Sequence, residues 1–172
     1  MVMGQLRLTL ALLFITSVSI GQQLDFDLKN ITFRGLEFST TKQEIINNFG
    51  ETQKIETKYE CGFFSNDQEG GPYYQLSYGH FNYIGSDKER FYLEHVKFDA
   101  KGETKVLYLN NELTGQTTQE EFIRIFGDKA RDHFEKHPKE NSVLLFSKGS
   151  DDGAIFTFKN GRLEKFEYWT PC

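Results

Sequence analysis

Three observations predict an α+β fold: a two-layer sandwich built as a tandem repeat of a short helix followed by antiparallel β-sheet, with the helices on one sheet face. A capped helical segment occurs twice. Runs of aromatic and β-branched residues follow each copy, and glycine, asparagine and aspartate punctuate those runs as hairpin turns do.

The helical segments are Leu36 to Glu51 (LEFSTTKQEIINNFGE) and Leu113 to Asp128 (LTGQTTQEEFIRIFGD), which at an offset of 77 share seven identities in sixteen. In each, Thr40 or Thr117 reads as the N-cap, and Gln43 or Glu120 three residues later completes a capping box. Apolar residues at helical spacing follow, Ile45, Ile46 and Phe49 in one copy and Phe122, Ile123, Ile125 and Phe126 in the other. Gly50 and Gly127 supply a left-handed stop, so helices are expected at about Thr41 to Phe49 and Thr118 to Phe126. Each has one face to bury.

In the second half, strands are expected at Val143 to Lys148, Ala154 to Lys159 and Arg162 to Trp169, joined by GSDDG and by Asn160-Gly161. An Asn-Gly pair between two such runs signals a type I′ hairpin, because both central residues need positive φ, and it sets Phe158 opposite Leu163. In the first half the corresponding strands are Tyr73 to Ile84, Arg90 to Phe98 and Thr104 to Asn110. Leu93 to Phe98 (LEHVKF) aligns with Leu163 to Tyr168 (LEKFEY), and both break alternation after the leucine. A β-bulge at Glu94/His95 and another at Glu164/Lys165 would restore one apolar face in both. Gln53 to Phe63 alternates, which places Ile55, Tyr59, Cys61 and Phe63 on the inner side of a half-buried strand. Residues 64–72 read as an exposed loop, and Lys129 to Asn141 is open between helix and loop.

The chain begins with one charge, Arg7, ahead of the apolar stretch Leu8 to Ile20, which matches a signal peptide cleaved near Gly21. Thirteen residues as a helix rise about 20 Å, short of the ~30 Å hydrocarbon core, so no membrane insertion is expected after cleavage. The expected organisation is a signal peptide over residues 1–21 and a single mature domain over 22–172, made of repeats near 31–110 and 111–172. The product is secreted or periplasmic. Losing Arg7 moves the formal charge from −5 to −6. With no lysine or arginine block, that balance argues against nucleic acid as a partner. Cys61 and Cys172 are an even pair in an oxidising compartment, which favours a disulfide between them; the alternative is a buried, unpaired Cys61 with a loose tail.

A capped short helix ending in Phe-Gly, followed by antiparallel sheet and repeated in tandem, resembles the β-lactamase-inhibitor-protein superfamily and the small SmpA/OmlA-type envelope assembly lipoproteins. The resemblance rests on TTKQEIINNFG and TTQEEFIRIFG. It implies a non-enzymatic protein that presents a sheet face or its loops to protein partners.

No cofactor or metal motif stands out. His133 and His137 are four residues apart, but Pro138 disfavours helical geometry at His137 and no third ligand is evident. Residues 149–153 lack the ligand spacing of a calcium loop and read as a hairpin turn. There is no nucleophile elbow. The most suggestive segment is Tyr73 to Tyr83 (YYQLSYGHFNY), read as one strand with aromatics on both faces. Tyrosines keep a polar tip for water or a ligand, as at interfaces. Tyr74, Tyr78, His80 and Trp169 are therefore the expected binding residues, on the sheet face that the helices leave free, for a protein or glycan partner. A small secreted hydrolase with a His/acid pocket is the alternative, to be signalled by His80, His95 or His133/His137 beside an acid in a deep pocket. A structural envelope protein is a further alternative.

Overall fold

The computed structural model describes residues 25–57, 59, 62–65 and 68–172; the expected signal segment and Cys61 lie outside them. The protein is α+β with antiparallel sheets. Its first elements are the strands β1 (Ile31–Phe33), β2 (Leu36–Glu37) and β3 (Ser39–Thr40), then helix α1 (Lys42–Phe49). Strands β4 (Lys54–Glu56), β5 (Tyr74–Ser77), β6 (Phe81–Gly85), β7 (Phe91–Lys97), β8 (Lys105–Tyr108) and β9 (Asn111–Thr114) follow. Helices α2 (Gln119–Phe126) and α3 (Asp128–Lys136) precede β10 (Ser142–Phe146), β11 (Gly153–Lys159) and β12 (Arg162–Trp169).

Both helices start one residue later than the capping reading places them. The N-caps are Thr41 and Thr118, not Thr40 and Thr117, and the reciprocal partners are Glu44 and Glu121, not Gln43 and Glu120. The reason is chemical: in this register the residue three positions on is a carboxylate in both copies. Glu121 accepts from the Thr118 backbone N–H at 2.9 Å while its own N–H donates to the Thr118 hydroxyl at 3.2 Å. The preceding threonines are buried instead, Thr40 donating to Glu44 at 2.8 Å and Thr117 accepting from the Thr114 N–H at 2.9 Å. Gly50 and Gly127 do hold positive φ, 85° and 69°, but with extended ψ, so each turns the chain sharply out of its helix without a left-handed helical residue.

The larger sheet has the order β10-β11-β12-β7-β6-β5-β4, with β3 also paired to β7. The Asn160-Gly161 hairpin forms with φ of 53° and 73°, and Phe158 sits opposite Leu163 as its turn type requires. Both bulges are present. Across β6 and β7 the register steps from Asn82↔His95 to Tyr83↔Leu93, and across β11 and β12 from Thr157↔Lys165 to Phe158↔Leu163, so Glu94 and Glu164 have no partner opposite. The second-half strands fall within a residue or two of expectation.

Three expectations fail. Tyr73 to Ile84 is not one strand but two, β5 and β6, reversed at Gly79 (φ 80°), where the Tyr78 N–H donates to the Phe81 carbonyl at 2.9 Å. Strand β8 does not join β7 in the larger sheet. It pairs with β1 and β9 in a separate four-stranded sheet, β2-β1-β8-β9, and the β8–β9 hairpin crosses the expected repeat boundary at 110/111. Of the described residues between Gln53 and Phe63, only Lys54–Glu56 form strand, as β4 at the sheet edge. Ile55, Tyr59 and Phe63, expected inside, are 41–45 % exposed; Ile55 lies on the edge strand β4, and Tyr59 and Phe63 lie beyond its end. The segment left open after Lys129 begins as α3, which buries Ala130 and ends at His137, the residue before Pro138.

One hydrophobic core joins both sheets and the helices. Phe122 on α2 lies 4.9 Å from Phe156 and 5.2 Å from Phe158, ring to ring, while Ile45 on α1 is fully buried in the same core. Tyr83 is the anomaly. Its hydroxyl is buried without a hydrogen-bond partner among the described residues, and burial pushes its pKa up. A buried donor left unmade costs about 1–3 kcal/mol, so Tyr83→Phe is expected to raise unfolding stability by about 1 kcal/mol in urea titration. A loss of stability on that substitution would mean the hydroxyl has a partner.

Candidate functional site

The four residues expected to form an exposed aromatic patch do not come together. Tyr74 is 7 % exposed and points into the main core, its hydroxyl donating to Asp87 at 2.6 Å and its ring lying 4.3 Å from the Lys54 ammonium. Tyr78 is half-buried on the same core side, stacked on Phe81 at 5.0 Å with its hydroxyl donating to the Gly50 carbonyl at 2.8 Å. His80 is exposed at the β5–β6 turn. Trp169 lies at the end of β12 against Phe146, at 5.6 Å. The correction follows from the hairpin: Tyr74 and Leu76 on β5, like Phe81 and Tyr83 on β6, join the core, so the tyrosines meant for the free face are spent on packing.

What the opposite face carries instead is polar at its centre. Gln75 on β5 and Asn82 on β6 alternate with those core residues, and the β7 bulge sets Glu94 beside them with His95 following. Glu94 is only 8 % exposed. Its carboxylate accepts from the Tyr59 hydroxyl at 2.5 Å, from the Gln75 amide at 2.8 and 3.1 Å, and from the Asn82 amide. All of these donors are neutral, and no cation forms a salt bridge with Glu94 among the described residues. Burial accordingly pushes its pKa up, against the lowering effect of the Tyr59 and Gln75 hydrogen bonds, and the charge of Glu167 adds to the rise. His95 is pushed the other way, mainly by burial and further by Lys165 and Lys97, while Glu167 opposes that fall. Lys165 is held by Glu167 at 2.7 Å.

These groups line an open cleft of about 310 Å³, bounded by Tyr59 and Tyr168. A second cavity of about 200 Å³ adjoins it, sharing Tyr59, Glu94 and Tyr168 and adding Phe64, Trp169 and Thr170. Beside these cavities Phe64 packs on Tyr73 and Ile84 as a small second cluster, with Tyr92 and Tyr168 against it. The expected loop 64–72 therefore contributes a buried ring. A larger polar cavity, about 690 Å³, runs between β8–β9 and α2, but the charged side chains that line it belong to exposed residues, and the buried Thr117 on its lining already accepts from the Thr114 N–H.

Among the other residues considered, His133 binds the Ser142 carbonyl at 2.7 Å and His137 faces Glu140 at 3.1 Å, which ties α3 to the turn after it. The β10–β11 connection is residues 147–152, a hairpin turn as expected, with Gly153 already the first residue of β11. Sequence reasoning missed Glu94 as a site residue although it located the bulge. The available signal was an acid inside an apolar strand with amides at Gln75 and Asn82 on the two strands alongside. No family model matches the chain, and neither do the curated proteins or the solved structures compared with it.

Proposed function

We propose that the chain is an exported, non-catalytic binding module, secreted or periplasmic, that contacts a protein partner through the sheet face opposite its core. The observation that carries this reading is the Glu94 cleft: open, shallow, polar at the centre and walled by Tyr59, Tyr168 and Trp169 where its second cavity begins. Tyrosine and tryptophan beside satisfied polar groups are the composition of protein-recognition hot spots.

The tandem-repeat architecture and the likeness to β-lactamase-inhibitor-type and SmpA/OmlA-type proteins belong to the same proposal. Three features support the repeat: the paired capping boxes at Thr41 and Thr118, the bulges after Leu93 and Leu163, and a strand order that runs outward from the β12–β7 pairing to β11 on one side and β6 on the other. The Cys61–Cys172 disulfide is proposed with it. The residues flanking the two cysteines, Gly62 and Pro171, are adjacent: a Cβ on Gly62 would lie 3.0 Å from the Pro171 carbonyl oxygen. The mature chain would thereby be closed across both halves.

A hydrolase is the second reading, favoured by one observation: His95, half-buried and with its pKa lowered by burial, lines the same cleft as Glu94 and Glu167. The two readings separate in a capture experiment from native medium or envelope. Lys165→Ala/Trp169→Ala, with thermal unfolding like wild type, is expected to lose a partner that wild type and a Lys105→Ala/Arg124→Ala control both retain. Equal capture by all three proteins rejects this face as the contact surface, and turnover abolished by His95→Ala would establish the hydrolase.

A further inference from the structure

A carboxylate taken out of water keeps its charge at a cost of several kcal/mol unless a cation or strong donors compensate it. Glu94 has donors but no counterion among the described residues. The one ammonium lining its cleft among the described residues, Lys165, is engaged by Glu167 at 2.7 Å, and neither residue lines the second cavity. Glu94 is also the polar group common to both cavities, and the second is walled by rings: Phe64 and Tyr168, 5.7 Å apart and edge to face, with Trp169 and Tyr59. Aromatic faces around an anionic group attract organic cations, through ring quadrupoles as well as through charge, and they accept the apolar stem that carries the cation.

The space matches. About 200 Å³ lies below the 300–1,000 Å³ usual for small-molecule pockets, so it takes a head group and stem and not a larger ligand. The net acidic charge of the chain favours approach of a basic partner.

We propose that this cavity receives one organic cation, the ammonium or guanidinium of a lysine or arginine on the protein partner, with the charge at Glu94 and the aliphatic stem between Tyr168 and Trp169. This assignment rests on the binding-module reading and narrows it to a basic anchor residue. Tyr59 moves with the event, since its hydroxyl at 2.5 Å from Glu94 holds one of the positions a cation would take.

The test is an NMR titration of isotope-labelled protein with N-acetyl-arginine amide, N-acetyl-lysine amide and the neutral N-acetyl-norleucine amide. The reporters are the side-chain amides of Gln75 and Asn82 and the indole N–H of Trp169. Saturable shifts are expected with the two cationic probes, with affinity at least about tenfold weaker for the neutral one and for Glu94→Gln. Trp169→Ala, which leaves the Glu94 hydrogen bonds intact, serves if Glu94→Gln does not fold, and it too is expected to weaken binding. Absence of saturable shifts, or equal shifts with norleucine amide, overturns the assignment. Partner capture without any cation shift leaves the binding module standing and removes the cation site. Cation binding without a captured protein supports the site and assigns it to a free organic cation instead of a partner's side chain.

Discussion

Phe122→Ala is expected to lower unfolding stability by about 3–5 kcal/mol, a large part of the 5–15 kcal/mol typical of a domain. The ring is fully buried and meets Phe126 at 4.3 Å, Phe156 at 4.9 Å and Phe158 at 5.2 Å, so its removal opens a cavity between α2 and β11 that rigid neighbours cannot fill. Urea titration should show the midpoint falling at an unchanged slope. A loss below about 1 kcal/mol would mean that α2 is not docked on the sheet and that the core is differently composed.

The second large effect concerns the proposed bridge. Cys172→Ser, or reduction under native conditions, is expected to cost about 4–5 kcal/mol, because a crosslink closing most of the mature chain removes that much entropy from the unfolded state. No described cysteine is free, and Gly62 lies close to Pro171 in the folded state. Denaturation with and without reductant measures the difference, and a non-reducing peptide map identifies the linked pair. If Cys61 and Cys172 are both alkylatable in the secreted protein, the bridge does not exist and the terminal segment is held by packing alone.

The features legible from the residues were those determined within a few positions of the chain. Asn160-Gly161 dictates its own turn, the threonine pairs mark both helix starts although the capping boxes sit one residue later than read, and the broken alternation after Leu93 and Leu163 marks both bulges. The misplacements share one cause, which is that the partner of a strand face is set by distant parts of the chain. Tyr74 and Tyr78 carry the composition of an interface, yet the Gly79 reversal turns them toward the core of α1 and β1. Lys105–Tyr108 has the pattern of a third strand in its half, but it is captured by Ile31–Phe33, more than 70 residues earlier in the chain. The candidate site shows the same division. The bulge at Glu94 could be read locally, whereas its consequence needs β5 and β6 alongside to supply Gln75 and Asn82, and Tyr59 from beyond the sheet edge to close over it.

Both functional proposals depend on Glu94 being a buried carboxylate whose partners among the described residues are all neutral, and its own titration tests this most directly. Side-chain ¹³C NMR of the Glu94 carboxyl as a function of pH is expected to give a pKa above the ordinary glutamate value of 4.5, since burial outweighs the Tyr59 and Gln75 hydrogen bonds. The sign of the linked effect is then set. A carboxyl that binds its proton more tightly when folded stabilises the fold below 4.5, and that contribution is lost as pH rises through the folded-state pKa. Glu94→Gln should remove this pH dependence. A Glu94 pKa at or below 4.5 would contradict the account, because it would place a cation or open water at a carboxylate whose donors among the described residues are all neutral.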